Sequence, residues 1–153
     1  MVNPLLGSTV FFNFCMGAKI LVKANSFTNS KISEGDTMVK MRKTLSDRIE
    51  HLVTANRILA REEVVDSYGH VSLRHPEIPE RFLLARSCSP ELVETEDILE
   101  FTLDCECIDD KGHQLYLESP IHGAIYKARS DVKAVVHHHS YAVIPFSVSK
   151  TPL

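Results

Sequence analysis

The 153-residue chain is long enough for one domain with a buried core, and its composition is that of an ordinary globular protein. Hydrophobic residues make up 44% and charged residues 24%, which argues against a disordered chain. The formal net charge is −3 and basic residues form no extended cluster, so no nucleic-acid partner is expected. The apolar run at residues 10–15 is far shorter than the roughly 20 residues of a membrane span, so no membrane partner is expected either.

The four cysteines favour a reducing compartment. Cys15, Cys88, Cys105 and Cys107 form no CxxC pair. Cys105 and Cys107 would project from the same face of a strand, which does not close a natural disulfide loop. We therefore expect free thiols and a cytoplasmic location.

The first predicted element follows a segment without a sustained hydrophobic period. We leave residues 1–40 as an unassigned N-terminal extension and place one domain at residues 41–153. From Leu45 to Ala60, apolar residues recur mostly at intervals of three and four. This pattern predicts an amphipathic helix, with Ser46 as its N-cap.

A β-hairpin is predicted after this helix. Residues 71–74 and 81–85 alternate or run apolar as short strands around the turn His75-Pro76. Residues 90–97 then have the composition of a turn or a short helix.

The rest of the chain predicts a second hairpin, a helix and a final strand. Residues 98–108 and 113–117 flank Asp109-Asp110-Lys111-Gly112, which is a strong loop signal. Ser119-Pro120 can open a helix, and residues 132–140 have the pattern of a strand. The order of helix, antiparallel strands, helix and strand predicts an α/β sandwich with a mixed or mostly antiparallel sheet.

The last predicted strand carries three adjacent histidines. Because residues two apart on a strand share a face, His137 and His139 converge while His138 points away. Their Cα atoms would lie roughly 6.6 Å apart, which lets two imidazoles reach one divalent ion. A chance surface cluster is the alternative, but Val135-Val136 indicates that the strand enters the core, where an imidazole needs a partner.

A carboxylate is available next to these histidines. Glu118 lies at the start of the helix that precedes the strand. In a purely structural role it would only interact favourably with the helix dipole.

The sequence resembles the class II aldolase/adducin family. In that pattern a Glu four residues before a His opens a helix, as in Glu118-Ser119-Pro120-Ile121-His122, and a V-H-x-H strand follows, as in Val136-His137-His138-His139. Upstream, the likeness continues through Leu52-Val53-Thr54-Ala55-Asn56-Arg57-Ile58-Leu59, Gly69-His70-Val71-Ser72-Leu73-Arg74 and Glu96-Asp97-Ile98. It covers about residues 46–153.

The resemblance implies a site as well as a fold. It implies metal ligands at His137 and His139 and a catalytic acid/base at Glu118. His122, one helical turn after Glu118, is expected to be structural, with a hydrogen bond to Glu118 or to the backbone. The third metal histidine of the family lies further downstream, so we expect a domain that is incomplete at its C terminus.

Two loops depart from the sugar-phosphate members of the family. Their G-N-x-S and T-P-S-G-like phosphate loops are replaced here by Gly69-His70-Val71-Ser72 and Arg86-Ser87-Cys88-Ser89-Pro90-Glu91. These replacements resemble the branch associated with decarboxylation of hydroxylated aromatic acids. The residues expected to bind substrate are His70, Ser72, Arg86 and Ser87.

Arg86 is expected to bind a substrate carboxylate rather than a phosphate. Its planar guanidinium matches a carboxylate and replaces the small residues that offer backbone N–H groups in phosphate-binding members. A surface ion pair with Glu91 or Glu94 is the alternative.

The resemblance implies a metal-dependent carbon–carbon lyase acting on a small-molecule substrate, with decarboxylation of a hydroxyaromatic acid as the first hypothesis. A sugar-phosphate aldolase, epimerase or dehydratase is the second, a non-catalytic adducin-like assembly module the third, and an inactive truncated product the fourth. Two His and an oxygen ligand suit a divalent ion, zinc first, with manganese, iron or cobalt also compatible. The resemblance further implies a homo-oligomer, specifically a tetramer.

Overall fold

The computed structural model describes residues 9–13, 19–23 and 44–150, and nine α-helices and β-strands lie within them. They are β1 (Thr9–Asn13), β2 (Lys19–Lys23), α1 (Leu45–Arg61), β3 (His70–Arg74), β4 (Arg81–Ala85), β5 (Ile98–Thr102), α2 (Ser119–Ala128), β6 (Ala134–His138) and α3 (Ile144–Val148). The strands form one sheet in the order β1-β2-β6-β3-β4-β5, and every pair is antiparallel. The predicted α/β fold with a mostly antiparallel sheet is confirmed.

Two strands lie in the segment for which the sequence pattern predicted no element. β2 pairs with β6, with Ile20 opposite His137, and β1 pairs with β2. β2 therefore covers an edge of β6 that would otherwise present unpaired backbone groups. The domain boundary after residue 40 stays a prediction.

The N-cap of helix α1 lies two residues before the predicted one. Thr44, not Ser46, is the cap: its Oγ1 accepts a hydrogen bond from the Asp47 N–H at 3.2 Å. The Asp47 carboxylate accepts in return from the Thr44 N–H at 2.7 Å. The prediction was wrong because only Thr44 has an acidic residue three positions later, whereas Ser46 is followed there by Ile49, which cannot complete the capping box.

Strand β4 shows that the sheet carries a helix on each face. Phe82 and Leu84 belong to the buried cluster that includes residues of α2, whereas Leu83 and Ala85 belong to the cluster that includes residues of α1. Alternate residues of a strand point to opposite faces, so an uninterrupted apolar strand needs apolar cover on both sides. The predicted hairpin is also confirmed, because β3 pairs with β4 around the His75-Pro76 turn.

The predicted second hairpin is wrong. Its first strand ends at Thr102, because the chain already turns there: the Cys105 N–H donates to the Thr102 carbonyl at 2.9 Å. Residues 113–117 form no strand. This segment instead lies alongside the loop that contains Arg86, since the Ser87 N–H donates to the Gln114 carbonyl at 2.8 Å. The Asp109-Asp110-Lys111-Gly112 turn is real but joins no strand pair.

The remaining expectations concern thiols and membranes. Cys88, Cys105 and Cys107 are free thiols, and Cys15 lies outside the described residues. Within the described part of the chain, no helix has the length and apolar character to span a membrane.

Candidate metal centre

Four polar side chains meet where β3, α2 and β6 come together. His70 is the first residue of β3 and pairs in register with His137 of β6. Glu118 precedes the first residue of α2, and His139 follows the last residue of β6. The antiparallel pairing of β3 with β6 thus brings together histidines that are far apart in sequence.

The distances between their polar atoms are short. Glu118 Oε2 lies 3.2 Å from His137 Nε2 and 3.5 Å from His70 Nε2. His137 Nε2 lies 3.1 Å from His139 Nε2. Two ligand atoms on a tetrahedral zinc ion, each at 2.0–2.1 Å from it, are about 3.4 Å apart. The separations therefore fit a shared ion, and His70, Glu118 and His137 offer donor atoms that all lie within 4.8 Å of one another.

The cluster contains two buried and two partly exposed side chains. The side chains of His70 and His137 are fully buried, whereas Glu118 is 43% and His139 29% exposed. Burial lowers the pKa of His70, and the nearby His122 lowers it further. Burial also lowers the pKa of His137, against the opposing effect of Glu118. Both imidazoles are consequently neutral near pH 7 and keep a lone pair for a metal.

The structure brings the two predicted metal histidines together. His137 lies on β6 as expected, while His139 lies just beyond its end and is positioned by Asp66, whose Oδ2 is 3.3 Å from His139 Nδ1. His138, the last residue of β6, accepts a hydrogen bond at Nδ1 from the Ser140 N–H at 3.2 Å. No local sequence signal could identify Asp66, because it lies 73 residues before His139.

Ser72 and His122 lie in the protein interior next to His70. His122 Nε2 is 2.7 Å from His70 Nδ1, and His122 Nδ1 is 2.6 Å from Ser72 Oγ. Both residues are fully buried, and Ser72 Oγ is also 2.8 Å from the Tyr126 hydroxyl. His122 therefore contacts neither of its expected partners. Ser72 was expected to bind substrate, and its side chain is buried in contact with His122 and Tyr126.

The loop that contains Arg86 is tied to the cluster by Tyr116. The Tyr116 ring centroid is 4.3 Å from that of His70, and its hydroxyl donates to the Cys88 carbonyl. Burial raises the pKa of Tyr116 to about 12, so the phenol keeps its proton. The sequence interpretation missed Tyr116 because it placed the residue in a strand.

Arg86 pairs with neither of its two suggested surface partners. Its Nε donates to Asp97 Oδ1 at 2.5 Å, and its side chain is 35% exposed. Among the described residues, its two terminal nitrogens have no hydrogen-bond partner. Ser87 is held beside it by the backbone contact with Gln114.

The chain matches the family described as Class II Aldolase and Adducin N-terminal domain over residues 50–153, well over half of its length. The chain belongs to this family. The resemblance inferred from the sequence motifs is thereby confirmed.

Two curated proteins and two solved structures illustrate the relationship. The chain is 32% identical to decarboxylase tropJ of Talaromyces stipitatus, over 66% of this chain and 39% of that protein. It is 26% identical to the probable L-ribulose-5-phosphate 4-epimerase UlaF of Mycoplasma pneumoniae, over 73% of this chain and 47% of that protein. The chain thus spans less than half the length of these two relatives.

The structural neighbours carry the same fold. L-fuculose 1-phosphate aldolase from Glaciozyma antarctica superposes with a TM-score of 0.65 and 28% identity, covering 78% of this chain and 51% of that one. An aldolase II superfamily protein from Pseudomonas syringae gives a TM-score of 0.64 and 28% identity, covering 72% and 46%. Class II aldolases typically depend on a divalent metal, and the buried neutral imidazoles beside a carboxylate fit such an ion.

Proposed function

We propose that this chain carries the metal centre of a carbon–carbon lyase that decarboxylates a hydroxyaromatic carboxylic acid. The observation that carries the proposal is the cluster of His137 and His139 beside the half-exposed Glu118. The two imidazoles would hold a divalent ion, with zinc the first candidate and manganese, iron and cobalt compatible with the same nitrogen and oxygen donors. The protein would act as a cytoplasmic homo-oligomer, specifically a tetramer.

Decarboxylation poses a charge problem that this site can solve. When the bond to the carboxyl carbon breaks, CO₂ leaves and the electron pair stays on the ring carbon, which must then take up a proton. A bound divalent ion supplies the electrophile that stabilises negative charge on a substrate oxygen. Glu118 is partly exposed and lies next to the imidazoles, so it would be positioned to deliver that proton.

Three observations favour decarboxylation over its alternatives. A curated relative at 32% identity is named a decarboxylase, whereas the epimerase relative is 26% identical. The Asn of the phosphate loop is replaced by His70, whose ring is buried in the cluster. Arg86 keeps two guanidinium nitrogens for a carboxylate, with none of its hydrogen bonds in the described structure using them.

One of the two alternatives retains specific support. The likeness to L-fuculose 1-phosphate aldolase keeps a sugar-phosphate aldolase, epimerase or dehydratase as the second candidate. An adducin-like assembly module has no need of buried polar groups directed at one another, since their desolvation costs stability.

Removal of the metal tests the reaction class. The chain stripped with a chelator should release no CO₂ from hydroxybenzoic acids, and readdition of Zn²⁺ or Mn²⁺ should restore release, because the negative charge needs an electrophile. Sugar phosphates incubated in parallel should remain intact. Metal-dependent cleavage or epimerisation of a sugar phosphate would favour the second candidate, and metal binding without turnover of any acid would favour the assembly module.

Arg86 tests how the substrate is recognised. Arg86→Ala should lower kcat/KM for a hydroxyaromatic acid by about 10- to 100-fold, because a charge-assisted hydrogen bond contributes about 1.5–3 kcal/mol. Arg86→Lys should recover little, since an ammonium cannot form the bidentate contact. Arg57→Ala is the matched control, because Arg57 forms an exposed pair with Glu94 outside the cluster. Equal loss in both alanine variants would contradict a specific role for Arg86.

A further inference from the structure

The turn that leads from α1 into β3 is packed tightly against the strand that carries His137. Val65 is only 4% exposed, and its N–H donates to the carbonyl of Leu59, near the end of α1, at 3.3 Å. A Cβ atom added at Gly69 would lie 2.5 Å from the Val65 Cβ atom and 3.2 Å from the His137 carbonyl oxygen. Glycine at this position therefore lets the turn approach β6 more closely than a residue with a side chain would.

Asp66 lies in this turn and uses its two carboxylate oxygens for different partners. Oδ1 accepts a hydrogen bond from the Tyr68 N–H at 3.0 Å, and the Asp66 backbone carbonyl accepts from the Gly69 N–H at 3.1 Å. Oδ2 lies 3.3 Å from His139 Nδ1. The Oδ1 contact forms an Asx-turn, in which an aspartate side chain is hydrogen-bonded to the backbone two residues on. The turn thus fixes the direction in which Oδ2 points.

The contact with Asp66 determines which nitrogen of His139 carries the proton. An ionised carboxylate only accepts hydrogen bonds, so the ring nitrogen that faces it must be the one with the N–H. In the neutral ring the proton is then on Nδ1 and the lone pair is on Nε2, which lies 3.1 Å from His137 Nε2. Metal-binding histidines bind in the neutral form and almost always donate their second ring N–H to a neighbouring acceptor.

We propose that Asp66 is a positioning residue of the metal centre, which holds His139 in the tautomer that leaves Nε2 free for the ion. His139 follows the last residue of β6, so the pairing of the strands does not fix its ring and a side-chain contact is needed. The inference rests on the proposed metal-dependent function. Asp66 is 45% and His139 29% exposed, so water can replace part of the contact, and the effect on metal affinity is expected at the lower end of the usual 10- to 100-fold range.

Two substitutions of Asp66 separate its contacts. In Asp66→Asn the side-chain oxygen can still accept from the Tyr68 N–H, which places the NH₂ group toward His139, so the turn is kept while the acceptor is lost. Asp66→Ala removes both contacts. In calorimetric titrations of the metal-free chain with Zn²⁺, both variants should bind about 10-fold more weakly than the unmodified chain. In urea, Asp66→Asn should unfold near the native midpoint and Asp66→Ala at a lower one. Asp104→Asn is the matched control and should bind normally, because Asp104 is exposed and pairs with Lys127.

A readout without metal distinguishes positioning from a purely structural role. In ¹H–¹⁵N spectra of the metal-free chain, recorded where the ring is neutral, His139 should carry its proton on Nδ1, and Asp66→Asn should move it to Nε2. His139→Gln assigns the signal by its disappearance. The same tautomer in both chains, or native Zn²⁺ affinity in Asp66→Asn, would overturn the role of Asp66 and leave the metal centre intact. Absence of Zn²⁺ binding by the unmodified chain would instead overturn the proposed metal centre, and this inference with it.

Discussion

Replacing Glu118 with Gln is expected to lower kcat for decarboxylation by about 10²- to 10⁴-fold, the usual contribution of a positioned general acid. The amide has nearly the same shape as the carboxyl group but cannot deliver a proton to the ring carbon. Glu118 is the member of the cluster that combines 43% exposure with direct contact to a buried imidazole, so no other group there is as well placed. Zn²⁺ content should stay near that of the unmodified chain, because the imidazoles remain.

The measurement is the rate of CO₂ release at saturating substrate, together with metal content by elemental analysis. Glu50→Gln is the matched control, since Glu50 is exposed on α1 and outside the cluster. A Glu118→Gln chain that binds Zn²⁺ and turns over normally would show that the proton comes from elsewhere. Loss of Zn²⁺ would instead show that Glu118 is itself a required ligand.

The parts of the site that depend on local spacing could be predicted from the sequence. His137 and His139 are two residues apart on one strand, so their convergence follows from the strand period. Glu118 was found because Pro120 marks the start of a helix directly before that strand.

The position of His70 could not be predicted in this way. It depends on the pairing of β3 with β6, which places His70 opposite His137 across 67 residues of chain. The same limit applies to Tyr116, which reaches the cluster through an irregular segment with no periodic pattern. Register between distant strands is set by the packing of both faces, and a single sequence gives each face only as a local pattern.

The fold was predictable where one interaction dominated. The uninterrupted apolar run of β4 indicates burial on both faces, and the helices on each side confirm it. The prediction of a second hairpin was wrong because the chain contains two turns in this region and the sequence marks only the later one clearly. The turn after Thr102 has no Gly or Asn to mark it, yet it ends the strand before the conspicuous Asp109-Asp110 turn is reached.

Replacing Arg74 with Met is expected to lower the free energy of unfolding by about 3–5 kcal/mol, the largest stability effect that we expect outside the cluster. Arg74 is only 7% exposed, and its guanidinium donates to four backbone carbonyls. They are those of Val132 (2.9 Å), Pro79 (2.6 Å), Tyr126 (2.6 Å) and Arg129 (2.9 Å). Methionine would fill similar volume but leave these acceptors without their donor.

The effect should reach the metal centre, because Arg74 joins β3, which begins with His70, to the end of α2, the helix that Glu118 precedes. Urea unfolding measures the loss, and Arg74→Lys should recover only part of it, since one ammonium cannot replace the guanidinium fork. Arg81→Met is the matched control: Arg81 is on the neighbouring strand, is 36% exposed and pairs with Glu100, so its loss should cost only about 0–1 kcal/mol. Equal unfolding midpoints for Arg74→Met and Arg81→Met would show that these carbonyls find other donors and that β3 and α2 are held together by apolar packing alone.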